Sequence, residues 1–272
     1  MVYDVRPEAT QPLRVKGAEV ASSVRELADN CEVVIASLPS TAVFRQVILE
    51  TDGVLYGDRI RTFVNTCTVG ATLVEEAVRV AANCGVEIID CPISGGPDGA
   101  RRGALSVMVS GSKERVEGLH PVLSLWGSVT IAGPTPGMAQ VLKLVNNILA
   151  GVNLIATSEA MVMGAKAGLD PQVVLDAVNA GMGRNSATQL TFPKFILSGS
   201  FDFGASIDMM MKDIDLAITQ GEALEVPMWV CQAARLVGKH AQYSGKGSED
   251  MTRLIHGIEA GAKFAIPTTA TV

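Results

Sequence analysis

The sequence predicts an α/β domain built on a parallel, doubly wound sheet, followed by an all-helical domain. Up to about Gly133, short runs of β-branched residues alternate with helical patterns, which is typical of parallel strands joined by helices. Beyond Gly133 the strand signals become rare and helical patterns dominate. The 272 residues, of which 48% are apolar and 18% charged, suffice for one large core or two modest ones. We therefore expect domains at 1–134 and 135–272, with no long linker between them.

In the first domain, short β-branched segments bounded by turn residues predict seven strands. They cover residues 2–4, 19–21, 32–37, 62–65, 86–90, 105–110 and 129–132. Segments with helical periodicity lie between strands and predict four helices. These cover residues 22–28, 41–49, 71–83 and 113–125. The alternation of strands and helices is the reason to expect a parallel sheet.

Four helices are predicted in the second domain from capping residues and prolines. Thr135 and Pro136 can cap and open a long helix that continues toward residue 167. Asp170 and Pro171 begin a second helix by the same logic. The other two helices cover residues 206–225 and 230–242.

The composition argues against nucleic-acid, membrane and metal-binding classes. The net charge is -6 and no Lys/Arg-rich run is present, so no basic surface for phosphate backbones is expected. The longest apolar stretch, 141–165, contains Lys143, Glu159 and three asparagines, and is better explained as a buried helix than as a bilayer span. The five cysteines show no CxxC or Cys/His ligand spacing, so we expect reduced thiols and no metal site. These features predict a folded cytoplasmic protein, with the mitochondrion as the alternative compartment.

An acidic residue, Asp4, closes the first predicted strand. In dinucleotide-binding sheets, an acid at this place accepts hydrogen bonds from the adenosine ribose and repels a 2′-phosphate. The plainer alternative is that Asp4 only forms a turn. A G-x-G-x-x-G turn normally lies about 20 residues before such an acid, and the sequence holds no residues there. A later match of related shape, at 181–186, lies among helices and is interpreted as a coincidence.

The strongest local pattern is a strand that runs into a glycine-rich loop over residues 90–103. Ser94 could offer a hydroxyl, and Gly95 and Gly96 could offer backbone N–H groups, to a small anion, with no Cβ in the way. The absence of Gly-Lys-Ser/Thr excludes a Walker-type phosphate loop. The alternative is a turn that merely requires glycine.

Polar residues interrupt the apolar helix that follows residue 137. Lys143 and Asn147 lie four residues apart and therefore share one helix face, beside Asn146. An ionised lysine is costly to bury without partners, which indicates a cavity or a ligand. A buried lysine can have its pKa depressed from about 10.4 toward neutrality, where it can exchange protons with an alcohol. The alternative is a lysine that reaches solvent, beside amides that satisfy nearby backbone.

A further Lys-Asp pair, Lys212 and Asp213, lies in the third helix of the second domain. The methionines around it indicate core packing rather than a cofactor site. The pair is either a solvated ion pair of little energetic value or a group that closes a site.

In this order, these segments resemble the β-hydroxyacid dehydrogenase family, which includes 3-hydroxyisobutyrate dehydrogenase, tartronate semialdehyde reductase and the glyoxylate/succinic semialdehyde reductases. The resemblance covers nearly the whole chain and rests on residues 2–4, 38–40, 65–68, 90–103, 137–147, 212–213 and 216–217. It implies a Rossmann-like α/β domain, N-terminally truncated because the first strand, glycine turn and helix are missing, followed by the all-α domain.

The resemblance implies a nicotinamide cofactor, NAD, with NADP as the alternative. Asp4 would bind the adenosine ribose and favour NAD, while Arg6 nearby weakens that preference. The residues implied to line the cofactor are Leu38, Pro39, Thr68 and Lys212. Without the glycine turn, which presents the pyrophosphate to a helix N-terminus, the chain is expected to bind dinucleotide poorly.

The resemblance also implies roles toward the substrate. Lys143 would be the general acid/base on the substrate oxygen, Asn147 would orient the substrate, and Asp213 would lie near it. The residues that would hold the substrate carboxylate are Ser94, Gly95 and Gly96. Relatives often carry an aromatic residue at the position of Ala205, so the pocket is expected to be reshaped or enlarged.

We therefore expect an NAD(P)-dependent oxidoreductase that acts on a small β-hydroxy acid or its semialdehyde, as a homodimer or homotetramer. One alternative is a catalytically inactive binding or oligomerisation subunit, which cofactor titration would distinguish. A second is a relative of 6-phosphogluconate dehydrogenase, which the short chain and the lack of an evident basic cluster for a sugar phosphate disfavour. The sequence does not identify the hydroxy acid.

Overall fold

The computed structural model describes residues 1–268 of the chain. The chain forms two compact units, Met1–Lys143 and Leu144–Val272. The first unit combines a sheet with helices, and the second is helical. The predicted fold class, an α/β domain followed by an all-α domain, is confirmed.

The sheet of the N-terminal unit has six strands: β1 (Val33–Ala36), β2 (Thr62–Asn65), β3 (Glu87–Asp90), β4 (Ile93–Ser94), β5 (Leu105–Ser110) and β6 (Gly127–Gly133). β1, β2 and β3 are parallel neighbours, in a register that sets Asn65 opposite Asp90. β5 joins the sheet beside β3 and β4, and β6 pairs with β5. The carboxyl ends of β1, β2 and β3 therefore meet at one edge, where open α/β sheets bind ligands.

The expectation of a wholly parallel sheet is wrong at β5. This strand runs antiparallel to β3 and β4, with Asp90 opposite Ser110. Only residues 95–104 join β4 to β5, whereas a parallel return needs a crossover of about a dozen residues or more. The sheet is mixed because this connection is too short to return to the other end of the sheet.

Helices accompany the sheet on the N-terminal unit: α1 (Pro7–Arg14), α2 (Val24–Asn30), α3 (Thr41–Leu49), α4 (Ala71–Asn83), α5 (Gly96–Arg102) and α6 (Lys113–Leu123). The side chains of Ser23, Ser40 and Ser112 accept hydrogen bonds from the first turns of α2, α3 and α6 and so fix where these helices begin. The four predicted helices are confirmed. The sequence did not predict α1 because Pro12 lies inside it, where proline usually breaks a helix.

Two further expectations are corrected in this unit. The first two predicted strands reduce to one parallel bridge between Val2 and Val20, outside the six-stranded sheet. The segment 90–103, expected to form a loop, instead forms β4 and α5. Gly95 at φ 125° precedes α5, and Gly103 in the left-handed conformation ends it. Glycine here bounds a short helix rather than making an open loop.

Beyond β6 the described residues form α7 (Met138–Lys166), α8 (Pro171–Ala180), a π-helix (Ala187–Ile196), α9 (Ile207–Ala223), α10 (Trp229–Tyr243) and α11 (Ile255–Ala262). The four helices predicted here correspond to α7, α8, α9 and α10. The start of α7 is corrected, because Gly137 adopts φ 99° and the helix begins at Met138 rather than at Pro136.

The helix α7 is long and apolar enough, by length and composition, to cross a membrane. Of its most apolar window, 56% is buried inside the protein. Leu154, Ile155 and Met161 belong to the core of the C-terminal unit, which also takes in buried residues of α9 such as Met211. These contacts show a helix whose apolar side chains pack against protein.

Candidate functional site

A buried polar network occupies the carboxyl edge of β2 and β3. It centres on Asp90, which is 0% exposed. Asp90 Oδ1 accepts hydrogen bonds from Gln140 Nε2 at 2.7 Å and Asn65 Nδ2 at 3.0 Å. Its Oδ2 accepts from the backbone N–H groups of Gly137 at 3.2 Å and Gln140 at 3.1 Å. The carboxylate therefore caps the beginning of α7, where N–H groups have no partner within the helix.

Gln140 connects this carboxylate to the segment that follows β2. Its Oε1 accepts from the N–H groups of Val69 at 2.9 Å and Gly70 at 3.0 Å, and its Nε2 also donates to the Cys67 carbonyl at 2.9 Å. Asn65 Oδ1 accepts from the Cys67 N–H at 3.0 Å. Since Gln140 and Asn65 are both 0% exposed, water does not compete for these bonds. The network fixes residues 65–70 against the first turn of α7.

Two opposing effects set the ionisation of Asp90. Burial raises its pKa to about 6, while hydrogen bonds from Gln140, Asn65 and Gly137 act in the lowering direction. At neutral pH the group is therefore a carboxylate. An ionised carboxylate only accepts hydrogen bonds, which matches the four donors that face it.

Lys143 follows Gln140 by three residues in α7 and is 6% exposed. Less than one helical turn separates the two residues, so the network that holds the start of α7 also sets the position of the Lys143 backbone. An ammonium group at this depth carries a desolvation cost that partners or a ligand must offset.

Ser94, Gly95 and Gly96 lie together at the beginning of α5. Ser94 is half-buried and pairs with Ser106 of β5, while both glycines are exposed. Gly95 and Gly96 adopt φ angles of 125° and 64°. A Cβ on Gly95 would lie 3.1 Å from Leu105 Cδ2, whereas a Cβ on Gly96 would meet open space. Glycine is required at Gly95 for both conformation and packing.

Three predicted cofactor residues lie at the carboxyl edge of the sheet. The Leu38 N–H donates to Cys67 Sγ at 3.0 Å, so the segments after β1 and β2 lie side by side. Pro39 and Thr68 belong to these same two segments. Pro39 is exposed, and Leu38 and Thr68 are partly exposed. Their arrangement leaves an accessible, partly apolar wall at the edge where α/β sheets bind ligands.

The fourth predicted cofactor residue of this unit, Asp4, makes a local contact with Arg6. Its Oδ1 accepts from the Arg6 N–H at 2.8 Å and lies 3.7 Å from Arg6 Nε. The turn that the sequence offered as the plainer alternative is therefore present. Among the described residues Asp4 Oδ2 has no hydrogen-bond partner and remains available to a hydroxyl group.

The C-terminal unit brings three predicted residues together. Asn147 Nδ2 donates to Asp213 Oδ2 at 2.6 Å, and Asn147 Oδ1 accepts from Asn146 Nδ2 at 2.9 Å. The amide orientation is thus fixed, and one N–H of Nδ2 remains for a further acceptor. Asp213 Oδ1 is buried without a hydrogen bond and forms an ion pair with Lys212 Nζ at 3.0 Å.

The sequence analysis assigned no role to Asp90, Gln140 or Asn65. A signal was present, since an acid that ends an apolar strand and a glutamine inside an apolar helix are both costly to bury alone. It did not identify their partners, which are distant in the chain. Within residues 1–268, no group of three or more His, Cys, Asp or Glu side chains is placed to hold a metal ion.

Two family models match the chain. One describes the NAD binding domain of 6-phosphogluconate dehydrogenase and matches residues 1–133. The other describes the NAD-binding region of NADP-dependent 3-hydroxyisobutyrate dehydrogenase and matches residues 137–258. Together they span most of the sequence.

Individual proteins match over nearly the same length. The 2-(hydroxymethyl)glutarate dehydrogenase of Eubacterium barkeri is 30% identical over 254 residues, 93% of this chain and 84% of that protein. The 3-hydroxyisobutyrate dehydrogenase of Pseudomonas aeruginosa is 32% identical over 249 residues, 89% of this chain and 84% of that protein. The solved structure of Mycobacterium tuberculosis 3-hydroxyisobutyrate dehydrogenase with L-serine is 27% identical, with a TM-score of 0.83 over 94% of this chain and 89% of that one.

Proposed function

The chain belongs to the β-hydroxyacid dehydrogenase family of NAD(P)-dependent oxidoreductases, and we propose that it interconverts a small β-hydroxy acid and its semialdehyde with Lys143 as the general acid/base. In the oxidative direction, the carbinol carbon loses a hydride to the cofactor and the hydroxyl oxygen loses a proton to Lys143. The carbon–oxygen bond becomes a carbonyl, so two electrons and two protons leave the substrate in all, as one hydride and one proton. The burial of Lys143 next to a fixed helix start carries this proposal.

Three compounds named for the relatives and their structures share one skeleton, which the L-threonate of a further relative, from Escherichia coli, lacks. 3-Hydroxyisobutyrate, 2-(hydroxymethyl)glutarate and L-serine each carry a hydroxymethyl group on the carbon that bears a carboxylate. They differ in the third group on that carbon, which is a methyl, a carboxyethyl or an ammonium group. We propose the same hydroxymethyl carboxylate skeleton for this chain, with the third group as the variable that the pocket selects.

The described residues fit a nicotinamide dinucleotide at its two ends. The free Asp4 Oδ2 suits a ribose hydroxyl, and the partly apolar wall of Leu38, Pro39 and Thr68 suits an aromatic ring system. Lys212 is proposed to contact the cofactor from its own unit. When bound, NAD(P) supplies the hydride-accepting carbon of the reaction.

In this proposal Lys143 accepts and returns the proton of the substrate hydroxyl group. As a neutral amine it takes the hydroxyl proton during oxidation, and as an ammonium it returns that proton during reduction. Gln140 and Asp90 hold the first turn of α7 and thereby limit how far the lysine backbone can move. A proton acceptor held in place avoids the entropic cost of positioning it at each turnover.

The remaining predicted residues are proposed to bind and orient the substrate. Ser94, Gly95 and Gly96 would hold the carboxylate with a hydroxyl and exposed backbone. Asn147 would donate its remaining N–H to a substrate oxygen, because Asp213 fixes the amide. Ala205 adds little bulk just before α9, which favours a larger third group on the substrate.

We propose that NAD is preferred over NADP. The Asp4 carboxylate would repel a 2′-phosphate, although Arg6 lies close enough to reduce the effect. The Asp4→Ser variant removes the repulsion and keeps a hydroxyl for the ribose. In this variant the ratio of kcat/KM for NADP to kcat/KM for NAD should rise at least several-fold. An unchanged ratio would show that Asp4 does not bind the cofactor.

We further propose a homodimer or homotetramer that acts on small molecules rather than on nucleic acid or membranes. A net charge of -6 offers no attraction for phosphate backbones. The proposed compartment is the cytoplasm, with the mitochondrion as the alternative, and imaging of the tagged full chain beside markers of both would decide between them.

The test is cofactor-coupled turnover with the three substrates named above, each with NAD and with NADP. Wild type is compared with Lys143→Met, which keeps an unbranched apolar side chain but cannot carry a proton. We expect kcat to fall by roughly 10²–10⁴, while calorimetry shows unchanged cofactor affinity. Lys113→Met is the matched control, because the side chain of Lys113 is 87% exposed in α6.

Two outcomes would contradict the proposed activity, and a third would contradict the role of Lys143. A folded wild type that binds cofactor but oxidises no member of the panel, and reduces none of the semialdehydes, is not a dehydrogenase of this substrate class. If neither the folded wild type nor a version with a family-like first strand, glycine turn and helix restored at its N-terminus binds NAD or NADP, the protein is the non-catalytic binding subunit. If Lys143→Met keeps full turnover, the activity stands and the proton is handled by another group.

A further inference from the structure

A solvent-accessible cavity of about 460 Å³ lies in the N-terminal unit, at the amino ends of β2 and β3. Arg61 precedes β2 and Glu87 begins β3, and the Glu87 N–H donates to the Arg61 carbonyl at 2.9 Å. The proposed cofactor wall lies at the carboxyl ends of the same sheet, so the length of β3, about 3.3 Å for each of its four residues, separates the two places. We call it the amino-edge cavity, and its walls include Arg61, Ala82, Glu87, Ile88, Arg115 and Pro136.

Two guanidinium groups line the amino-edge cavity, and only one of them has a carboxylate partner within residues 1–268. Arg115 Nε donates to Glu87 Oε2 at 3.0 Å, and Ser112 Oγ donates to the other Glu87 oxygen. Arg61 Nη1 donates to two backbone carbonyls, at 3.1 and 2.7 Å. In the described part of the chain its Nε and Nη2 have no hydrogen-bond partner. The cavity therefore holds one uncompensated positive charge with donors to spare.

The walls around these charges are largely apolar. Val78 and Ala82 lie four residues apart and so share one face of α4. Ile88 of β3 and the two prolines that connect β6 to α7, Pro134 and Pro136, also line the cavity. An apolar lining with a few convergent polar groups is the usual form of a small-molecule site. One uncompensated cation in such a lining suits a monoanion that carries a hydrocarbon body.

We propose that the amino-edge cavity binds an aliphatic monocarboxylate, with the carboxylate on Arg61 and Arg115 and the hydrocarbon chain against α4 and the two prolines. Arginine presents paired N–H donors in a plane that matches both oxygens of a carboxylate. A phosphate would bring a second negative charge toward Glu87 and no hydrocarbon for the walls. The cavity does not include the segment 94–96, to which the substrate carboxylate is assigned. This inference is independent of the proposed dehydrogenase activity.

A ligand in this cavity touches two segments that meet again at Asp90. Ile88 lies two residues before Asp90 on β3, and Pro136 immediately precedes Gly137. The Gly137 N–H donates to Asp90 Oδ2 at 3.2 Å, so one hydrogen bond joins the ends of both segments at the start of α7. A ligand that holds Ile88 and Pro136 together opposes the opening of this bond. Occupancy of the cavity should therefore steady the first turn of α7.

The first experiment is calorimetric titration of the full chain with hexanoate and, separately, with acetate and inorganic phosphate. Hexanoate should bind with a Kd of roughly 1 mM, as expected for a ligand of this size. It should bind about tenfold more tightly than acetate, because the apolar walls cover part of its longer chain. Inorganic phosphate should bind no more tightly than acetate.

Two variants remove different parts of the site. Arg61→Gln removes the uncompensated charge and should weaken hexanoate binding about tenfold. Arg59→Gln is the matched control, since the side chain of Arg59 is 59% exposed and does not line the cavity. Ala82→Phe fills the cavity, leaves both arginines in place and should abolish binding. Asn83→Phe, exposed on the same helix but not part of the walls, should leave binding unchanged.

Hydrogen exchange tests the link to α7. With hexanoate at ten times its Kd, the backbone amides of residues 135–140 should exchange up to about tenfold more slowly, because their opening must then release the ligand. At the same concentration Arg61→Gln should show at most about a twofold slowing. Circular dichroism checks that each variant is folded.

Several results would overturn the proposal. A wild type that does not bind hexanoate at roughly 10 mM has no such site, and hexanoate that binds no better than acetate does not use the apolar walls. Binding that persists in both Arg61→Gln and Ala82→Phe occurs elsewhere, and its loss in Ser94→Ala would place it at the segment 94–96. Binding at the amino-edge cavity without slower exchange at 135–140 would disprove the link to α7.

Discussion

The side chain of Gln140 lies between Asp90 and the segment after β2, with Nε2 2.7 Å from Asp90 Oδ1 and Oε1 2.9 Å from the Val69 N–H. One residue thereby joins the end of β3, the start of α7 and the residues that precede α4. The proposed cofactor wall at Thr68 and the proposed acid/base Lys143 lie on either side of this junction. The distance between Thr68 and Lys143 within the N-terminal unit therefore depends on the buried side-chain amide of Gln140.

Replacing Gln140 with leucine should lower the free energy of unfolding by about 3 kcal/mol. The substitution leaves the Val69 and Gly70 N–H groups and one Asp90 oxygen without this partner, and each unsatisfied buried group costs about 1–3 kcal/mol. Chemical denaturation measures the loss. Gln172→Leu, at an exposed position of α8, is the control and should change stability by less than about 0.5 kcal/mol. Equal losses at both positions would show that the network does not stabilise the fold.

Asp90 should make stability fall as the pH rises from about 4 to about 6. Its pKa is raised by burial to about 6 in the folded protein, so the folded state binds more protons than the unfolded state in this interval. The contribution of Asp90 is fully present below pH 4 and is lost as the pH passes the folded pKa, by about 3 kcal/mol in all.

The matched variant for this prediction is Asp90→Asn, which does not titrate. Unfolding free energies of both proteins are measured from pH 4 to 8, and the difference, wild type minus variant, should decline by about 3 kcal/mol and then level off. Taking the difference cancels the other titrating groups. A flat difference would mean that the folded protein does not raise the pKa of Asp90.

The sequence was sufficient for those elements that local patterns determine. β2 and β5 and the helices α3 and α4 have bounds that match their periodicity and caps. The direction of β5 was not predicted, because it depends on a connection whose glycines form the helix α5. Nor were the network partners, since Asp90 and Gln140 are 50 residues apart in the chain. A single sequence gives the cost of burying such a group but not the group that offsets it.

Breaking the hydrogen bond between Asn147 and Asp213 should raise KM for the substrate, because the Asn147 amide is then no longer held in one orientation. Donor and acceptor are 2.6 Å apart, and the about 1.5–3 kcal/mol of a hydrogen bond to a charged group sets an upper limit of roughly 10–100-fold on the rise in KM. Asn147→Ala, Asp213→Ala and the double variant form a cycle in which KM is measured at saturating cofactor. If Asp213 acts only by orienting Asn147, the second replacement adds little to the first.

The control for this cycle is Asn153→Ala, on the same helix and partly buried. It should leave KM unchanged. Additive effects of Asn147→Ala and Asp213→Ala on KM would show that the two residues act separately on the substrate. If neither variant changes KM, neither residue belongs to the substrate site.

Alanine at Gly95 should be far more harmful than alanine at Gly96 or Gly118. Gly95 adopts φ 125°, which L residues rarely adopt, and a Cβ there would press on Leu105, so we expect a loss of about 3 kcal/mol. Gly96 adopts φ 64° with open space around it, and the left-handed conformation alone costs about 1–2 kcal/mol. Gly118 lies inside α6 with no atom near its Cβ position, so alanine there should stabilise by about 0.5–1 kcal/mol. Denaturation of the three variants should give this order, with opposite signs at Gly95 and Gly118.

If Gly95 also holds the substrate carboxylate, KM for the hydroxy acid should rise in Gly95→Ala at temperatures where this variant is fully folded. An unchanged KM would limit Gly95 to a structural role.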